Sequence, residues 1–281
     1  MSQYGLYVKR LKNKEMNKLP RSLIDVAVIT GAGQGIGKSV ALDLGSNGVP
    51  VLCISKSKNA EYTKREIVKA KGSAESLVTD IGDYKVTEKL VSRWISKKSY
   101  KKIGVILAAA ILGPTDFYTA NSIKSWDACY KVNVLGNLSV LSALLPKMIK
   151  NKFGRIVAFA GGGSAYAYPK FPAYSATKTA MVRTVENIHE MLKEEGNFSL
   201  VCLAPGAVET SMLQQIRNSG GEIKTVVNIS EPVKFINCFM NSVSCGFSGR
   251  FVHVRDNWKD YIDTGRAISN DSKWKLRRIE A

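Results

Sequence analysis

Short apolar runs alternate along the chain with longer stretches of helical spacing. The runs at 25–30, 51–55, 74–79, 103–109, 155–159, 199–204 and 249–254 are rich in Val, Ile, Leu and Ala and read as strands. Between them, residues 37–47, 86–97, 123–150 and 175–195 carry apolar positions three and four apart, the mark of helices with one buried face. Strands this uniformly apolar must be covered on both faces, and helical crossovers between parallel strands supply that cover. Seven of them predict an α/β fold, a Rossmann-type doubly wound sheet that is mostly parallel with helices on both faces. The pattern places one domain at 22–256, preceded by an arm at 1–21 and followed by a tail at 257–281. No internal repeat and no low-complexity linker interrupts it.

Composition narrows the setting. The chain has 281 residues, 45% of them hydrophobic, enough for one large core. Its apolar runs, such as 105–112, fall well short of the roughly 20 residues that span a bilayer. The first residues contain no apolar stretch of the secretory kind. Cys53, Cys129, Cys202, Cys238 and Cys245 lie scattered with no CxxC pair, and there are two histidines. That argues for reduced thiols, no metal site, no membrane and a cytoplasmic location. The net charge of +18 admits three readings: nucleic-acid binding, a solvated lysine-rich surface, or steering of an anionic ligand. Basic residues cluster at the termini (Lys9, Arg10, Lys12, Lys14, Lys18 and Arg21; Lys273, Lys275, Arg277 and Arg278) but are not confined to them. The solvated surface is the reading adopted, and no nucleic-acid partner is expected.

Two stretches carry chemistry. In ITGAGQGIGKS, Gly31, Gly35 and Gly37 are spaced GxxxGxG between a strand and a helix. Glycines there allow a tight turn and close approach of a pyrophosphate to a positive helix N-terminus. The second strand ends in Ser55, Lys56 and Ser57, where a site selective for NAD(H) would hold a carboxylate on the ribose hydroxyls. A lysine there attracts a 2′-phosphate, so NADP(H) is favoured over NAD(H). Further on, Tyr174 and Lys178 are four apart and share one helical face. A nearby ammonium lowers a phenol's pKa toward the range of useful proton exchange.

In this order the motifs resemble the classical short-chain dehydrogenase/reductase family over roughly residues 24–255. TGAGQGIG, Thr30 to Gly37, looks like the family's cofactor loop, with Gln34 and Ile36 beside the glycines. Asp80 and Ile81 resemble its adenine contact. KVNV, around Asn133, resembles the segment of its catalytic asparagine, and YSATK, Tyr174 to Lys178, its active pair. APGAVET, carrying Pro205, Gly206, Val208 and Thr210, resembles the segment that closes over the nicotinamide. The resemblance implies that Tyr174 protonates a carbonyl oxygen as hydride arrives, that Lys178 also holds the ribose, and that Asn133 positions a water in a proton relay. It implies a substrate lid at about 207–228. It also implies a homodimer or homotetramer built on the helices at 123–150 and 175–195.

Two departures stand out. Where the family has NNAG, this chain has Ala108, Ala109 and Ala110, small enough to leave the cofactor room. Where the family serine falls, 13 residues before the tyrosine, it has Gly161, with Ala160 beside it. Ser164 is the nearest hydroxyl and the replacement expected first. Backbone N–H groups of Gly161–Gly163, Tyr166 and Tyr168 are the alternatives. The stretch Ser248–Trp258, with Leu276–Ile279 in the tail, resembles reductases of bacterial surface-polysaccharide and glycan-modification pathways, and Arg217, Arg250, Arg255, Arg277 and Arg278 offer clamps for an acidic sugar. The function expected is therefore an NADP(H)-dependent reductase of a ketone, or oxidant of a secondary alcohol, on a sugar or nucleotide-linked sugar. A 3-oxoacyl or other small-carbonyl reductase and a non-catalytic NADP(H)-binding protein are the rivals.

Overall fold

The computed structural model describes residues 22–115, 122–223 and 226–278. The basic arm expected at 1–21 lies outside the described residues. Nine strands and eight α-helices alternate along the described chain: β1 (Val26–Thr30), α1 (Gly35–Ser46), β2 (Val51–Ser55), α2 (Asn59–Lys69), β3 (Ala74–Val78), α3 (Tyr84–Ser96), β4 (Ile103–Leu107), α4 (Ser122–Tyr130), α5 (Asn137–Lys150), β5 (Phe153–Phe159), α6 (Pro172–Leu192), β6 (Asn197–Ala204), β7 (Ala207–Val208), α7 (Ser211–Asn218), β8 (Val226–Val227), α8 (Ser230–Asn241) and β9 (Arg250–His253).

Seven strands form one parallel sheet in the order β3-β2-β1-β4-β5-β6-β9, with Ile29 paired to Cys53 on one side and Ile106 on the other. These are the seven runs read from the sequence, displaced at their ends by up to two residues. The two short strands β7 and β8 pair separately. Side chains of β1 alternate between the faces, as strand geometry requires. Ala27 and Ile29 pack beneath α1, α2 and α8, while Val26 and Val28 pack beneath α3, α5 and α6. Chain order reverses between β1 and β4, so their carboxyl ends splay apart into the crevice where this architecture binds ligands.

Local chemistry sets the helix ends that border the crevice. Asp83 caps α3 by accepting from Val86 N, and Thr210 caps α7 by accepting from Leu213 N. Pro172 begins α6, where a missing N–H costs nothing. Helices α4 and α5 are joined through a π turn, Lys131–Gly136. Ser122–Lys150 is long and apolar enough to cross a membrane by length and composition, but half of its most apolar 18 residues are buried. Val140, Leu141, Leu144 and Met148 fill the core beneath α5, so its hydrophobicity serves the fold.

The tail is part of the domain. Phe251 N donates to Trp274 O at 2.8 Å, which covers the outer edge of β9. Arg250 donates to the carbonyls of Ile268, Asn270, Asp271 and Lys273, and Arg277 and Lys275 pair with Glu186 on α6. Arg155, fully buried on β5, is satisfied by carbonyl oxygens, among them Ser242 O and Asn197 O at 2.9 Å. Burial lowers its pKa to about 10.

Candidate active site

A cleft of about 1000 Å³ opens at the carboxyl ends of the strands. Its first half is built by the β1–α1 loop. Gly31 has φ +66°, and a Cβ there would lie 2.9 Å from the Ala109 backbone. A Cβ on Gly37 would lie 2.5 Å from Gly31 O. The loop therefore closes on itself and on β4 only because both residues lack side chains. Gln34 precedes the first turn of α1 with no side-chain cap, and that turn contains no acidic residue. Its backbone N–H groups and positive end face the cleft, which suits a pyrophosphate. A Gly37→Ala variant should lose nucleotide affinity while keeping its fold, read by NADPH titration beside circular dichroism.

Ser55, Lys56, Ser57, Asp80 and Ile81 line the same half, with Asn59, which the sequence did not mark. Lys56 Nζ rests 2.7 Å from Asp80 Oδ2, and that contact holds the Asp80 carboxyl below its ordinary pKa. Ser55 Oγ donates to Ser57 O at 2.8 Å. The Lys56 side chain is 79% exposed, and an ion pair in that setting is worth only about 0–1 kcal/mol, so it is free to move to an incoming phosphate.

The alanines at 108–110 line the cleft floor, and the bracing they cannot supply comes from elsewhere. Ala109 N donates to Thr30 Oγ1 at 3.1 Å, Thr30 Oγ1 donates to Asn137 Oδ1 at 2.7 Å, and Asn137 Nδ2 donates to Ala109 O at 2.9 Å. Asn137 was legible only as the residue four after Asn133, one turn along the same face. Asn133 itself is fully buried. Its Oδ1 accepts from Ile111 N at 2.8 Å, and its Nδ2 donates to Ile111 O and Thr177 Oγ1. Its side chain does not line the cleft; through these bonds it ties the π turn to the loop after β4.

Tyr174 and Lys178 do line the cleft, one turn apart on α6. Lys178 Nζ donates to Phe159 O at 3.0 Å and lies 5.6 Å from the Tyr174 ring centroid. Burial lowers the Lys178 pKa to about 8. Burial also raises the Tyr174 phenol, opposite to the lowering that the ammonium alone predicts. Desolvation of the enclosed hydroxyl is the main cause, and the neighbouring Cys129 and Tyr168 add to it.

Ser164 does not line the cleft with this pair. It is 3% exposed, and its Oγ accepts from Gly161 N at 3.0 Å. The three-residue turn that makes this contact holds the hydroxyl oxygen against the backbone of Gly161. The same bond occupies one of the glycine N–H groups considered as a substitute.

Pro205, Gly206, Val208 and Thr210 border the lid side. Met212, Leu213, Ile216 and Ile223 face inward, and Met212 and Ile216 pack on Leu112, Phe171 and Tyr174. None of the five arginines considered as sugar clamps lines the cleft. Arg217 pairs with Glu209, Arg255 donates to Val226 O, Arg277 pairs with Glu186 and Arg250 is spent on the tail. His253, which the sequence did not mark, also lines the cleft at the carboxyl end of β9. Its position at a strand end was the available signal.

The short chain dehydrogenase family profile matches residues 25–220. The chain belongs to this family. An uncharacterised oxidoreductase of Listeria monocytogenes is 31% identical over 199 residues, covering 70% of this chain and 79% of the relative. The crystal structure of a provisionally assigned NAD(P)-dependent gluconate 5-dehydrogenase from Beutenbergia cavernae, with NADP bound at low occupancy, aligns at TM-score 0.77 and 23% identity, covering 86% of this chain and 99% of its own. A 3-ketoacyl-ACP reductase from Sinorhizobium meliloti aligns at TM-score 0.69 and 25% identity, covering 81% and 96%. Membership makes this short-chain dehydrogenase a nucleotide-binding oxidoreductase acting on CH–OH or C=O groups.

Proposed function

We propose that this short-chain dehydrogenase reduces a ketone with an apolar flank, using NADP(H). The observation that carries the reading is the Tyr174–Lys178 pair, placed in one cleft with a glycine cradle for a dinucleotide. A neutral phenol is a proton donor, which suits reduction. The bound dihydronicotinamide supplies the hydride. Tyr174 gives its proton to the carbonyl oxygen, Lys178 stands over the ring anchored to Phe159 O, and the lid residues Met212 and Ile216 exclude water. The intact pair argues against a non-catalytic nucleotide-binding role.

The inward lid is apolar and none of the five arginines lines the cleft, so a 3-oxoacyl or similar small carbonyl compound fits better than an acidic sugar. A place in surface-polysaccharide or glycan modification rests on the resemblance of Ser248–Trp258 and Leu276–Ile279 alone. A homodimer or homotetramer is the assembly we propose. It would pair along α4 and α5, because the tail covers part of α6 through Arg277, Leu276 and Arg183.

Preference for the phosphorylated nucleotide rests on Lys56 and on the missing carboxylate beside it. Lys56→Ala should weaken NADPH binding roughly 10- to 100-fold, the worth of a hydrogen bond to a charged group, and leave NADH binding unchanged. Equal titrations of wild type and variant with NADPH would remove that preference. A panel of small diketones, 3-oxoacyl thioesters and keto-sugars, followed by NADPH oxidation, tests the substrate class.

A further inference from the structure

Stabilising the developing oxygen charge takes a hydrogen-bond donor besides Tyr174. Position 161 has no side chain, its N–H is donated to Ser164 Oγ, and Ser164 does not line the cleft. The glycine run has another use. A Cβ on Gly161 would lie 2.5 Å from the Tyr174 hydroxyl. A Cβ on Gly162 would meet the Tyr168 ring at 3.6 Å, and one on Gly163, at φ +83°, would lie 2.6 Å from Tyr168 Cβ. Two phenols thus stand over consecutive residues of one bare strip of backbone, whose Cα atoms are about 3.8 Å apart.

Tyr168 is held there. Its carbonyl accepts from Phe171 N at 3.1 Å in the turn before α6, and its ring packs on Phe171 with centroids 5.6 Å apart. It joins the cluster of Leu112, Phe171 and Tyr174 and lines the cleft. Tyr166, the other phenol of the loop, is 58% exposed and stands at the mouth.

We propose that the Tyr168 hydroxyl donates the second hydrogen bond to the substrate carbonyl oxygen, in place of the side-chain hydroxyl that position 161 lacks. Tyr174 gives up its proton, whereas Tyr168 keeps its own and only shares it. Burial raises the Tyr168 phenol as well, so it remains a donor throughout the neutral range. The presence of Gly161 then follows from the arrangement: a serine there would need the space that the Tyr174 hydroxyl fills.

This inference rests on the proposed reductase reading, and its test separates the two. Steady-state NADPH oxidation with the same carbonyl panel is measured for wild type, Tyr168→Phe and Tyr174→Phe, with NADPH affinity titrated directly. Phenylalanine keeps the ring and its packing, so a merely structural Tyr168 would leave kcat unchanged. The expected result is a kcat lowered roughly 10²–10³-fold in Tyr168→Phe, as for removal of one oxyanion donor, with NADPH affinity unchanged. Wild-type kcat in Tyr168→Phe beside an inactive Tyr174→Phe overturns the inference and leaves the reductase reading standing. Wild-type kcat in Tyr174→Phe, or no carbonyl reduced by the wild type, overturns both.

Discussion

Tyr174→Phe is expected to bind NADPH as the wild type does and to reduce its ketone roughly 10²–10⁴-fold more slowly, the range lost with a positioned general acid. The substitution removes one oxygen from a side chain that is 8% exposed, so packing against Leu112 and Phe171 survives. It removes no contact to the glycine cradle, whose own turn is set by Gly31 and Gly37. The effect should therefore fall on kcat, with nucleotide affinity as the internal control. Because burial raises the phenol, wild-type reduction should not decline through loss of this proton as pH rises across the neutral range. Turnover by Tyr174→Phe at the wild-type rate would mean that another group protonates the oxygen.

How much of this was legible before the structure depended on what each residue's neighbours could change. The seven central strands were legible because a strand covered on both faces has little alternative to an apolar sequence. Helices α2 and α8 were not marked. In α2 only Ala60, Thr63 and Ile67 are buried, and charged residues obscure the stripe. Gly31, Gly35, Gly37, Tyr174 and Lys178 could be placed because their spacing is itself the chemistry.

Side-chain direction could not be read in the same way. Ser164 and Asn133 lie at suggestive distances along the chain, but the partners their side chains take up, Gly161 N, Ile111 and Thr177, are set by the fold and not by spacing. The arginines illustrate the same point. Their charge suggested an anionic substrate, but tail carbonyls, Glu186 and Glu209, which no sequence spacing reveals, engage Arg250, Arg277 and Arg217. The apolar lid was obscured because Met212, Leu213 and Ile216 alternate with polar residues, and only the helix α7 sorts them onto an inner face.

Lys178→Met is expected to slow ketone reduction and, at neutral pH, to change thermal stability in a way that depends on pH. Lys178 is 2% exposed, and burial brings its pKa down to about 8. An unfolded lysine titrates near 10.4. Between those values the unfolded chain holds the proton that the folded chain has released, so this group makes the wild type more stable as pH rises through the window. Below the folded value the buried ammonium costs on the order of 3 kcal/mol. Its bond to Phe159 O is part of the environment that sets the pKa, and methionine leaves that carbonyl without this donor. A bare carbonyl costs about 1–3 kcal/mol, but that penalty is the same at every pH. The stability of Lys178→Met relative to the wild type should therefore be most favourable near pH 7 and decline steadily toward pH 10. Unfolding midpoints of both proteins at several pH values measure this difference directly. A difference that stayed flat across the window would show that Lys178 titrates normally, and the catalytic face of α6 would then be wetter than its burial indicates.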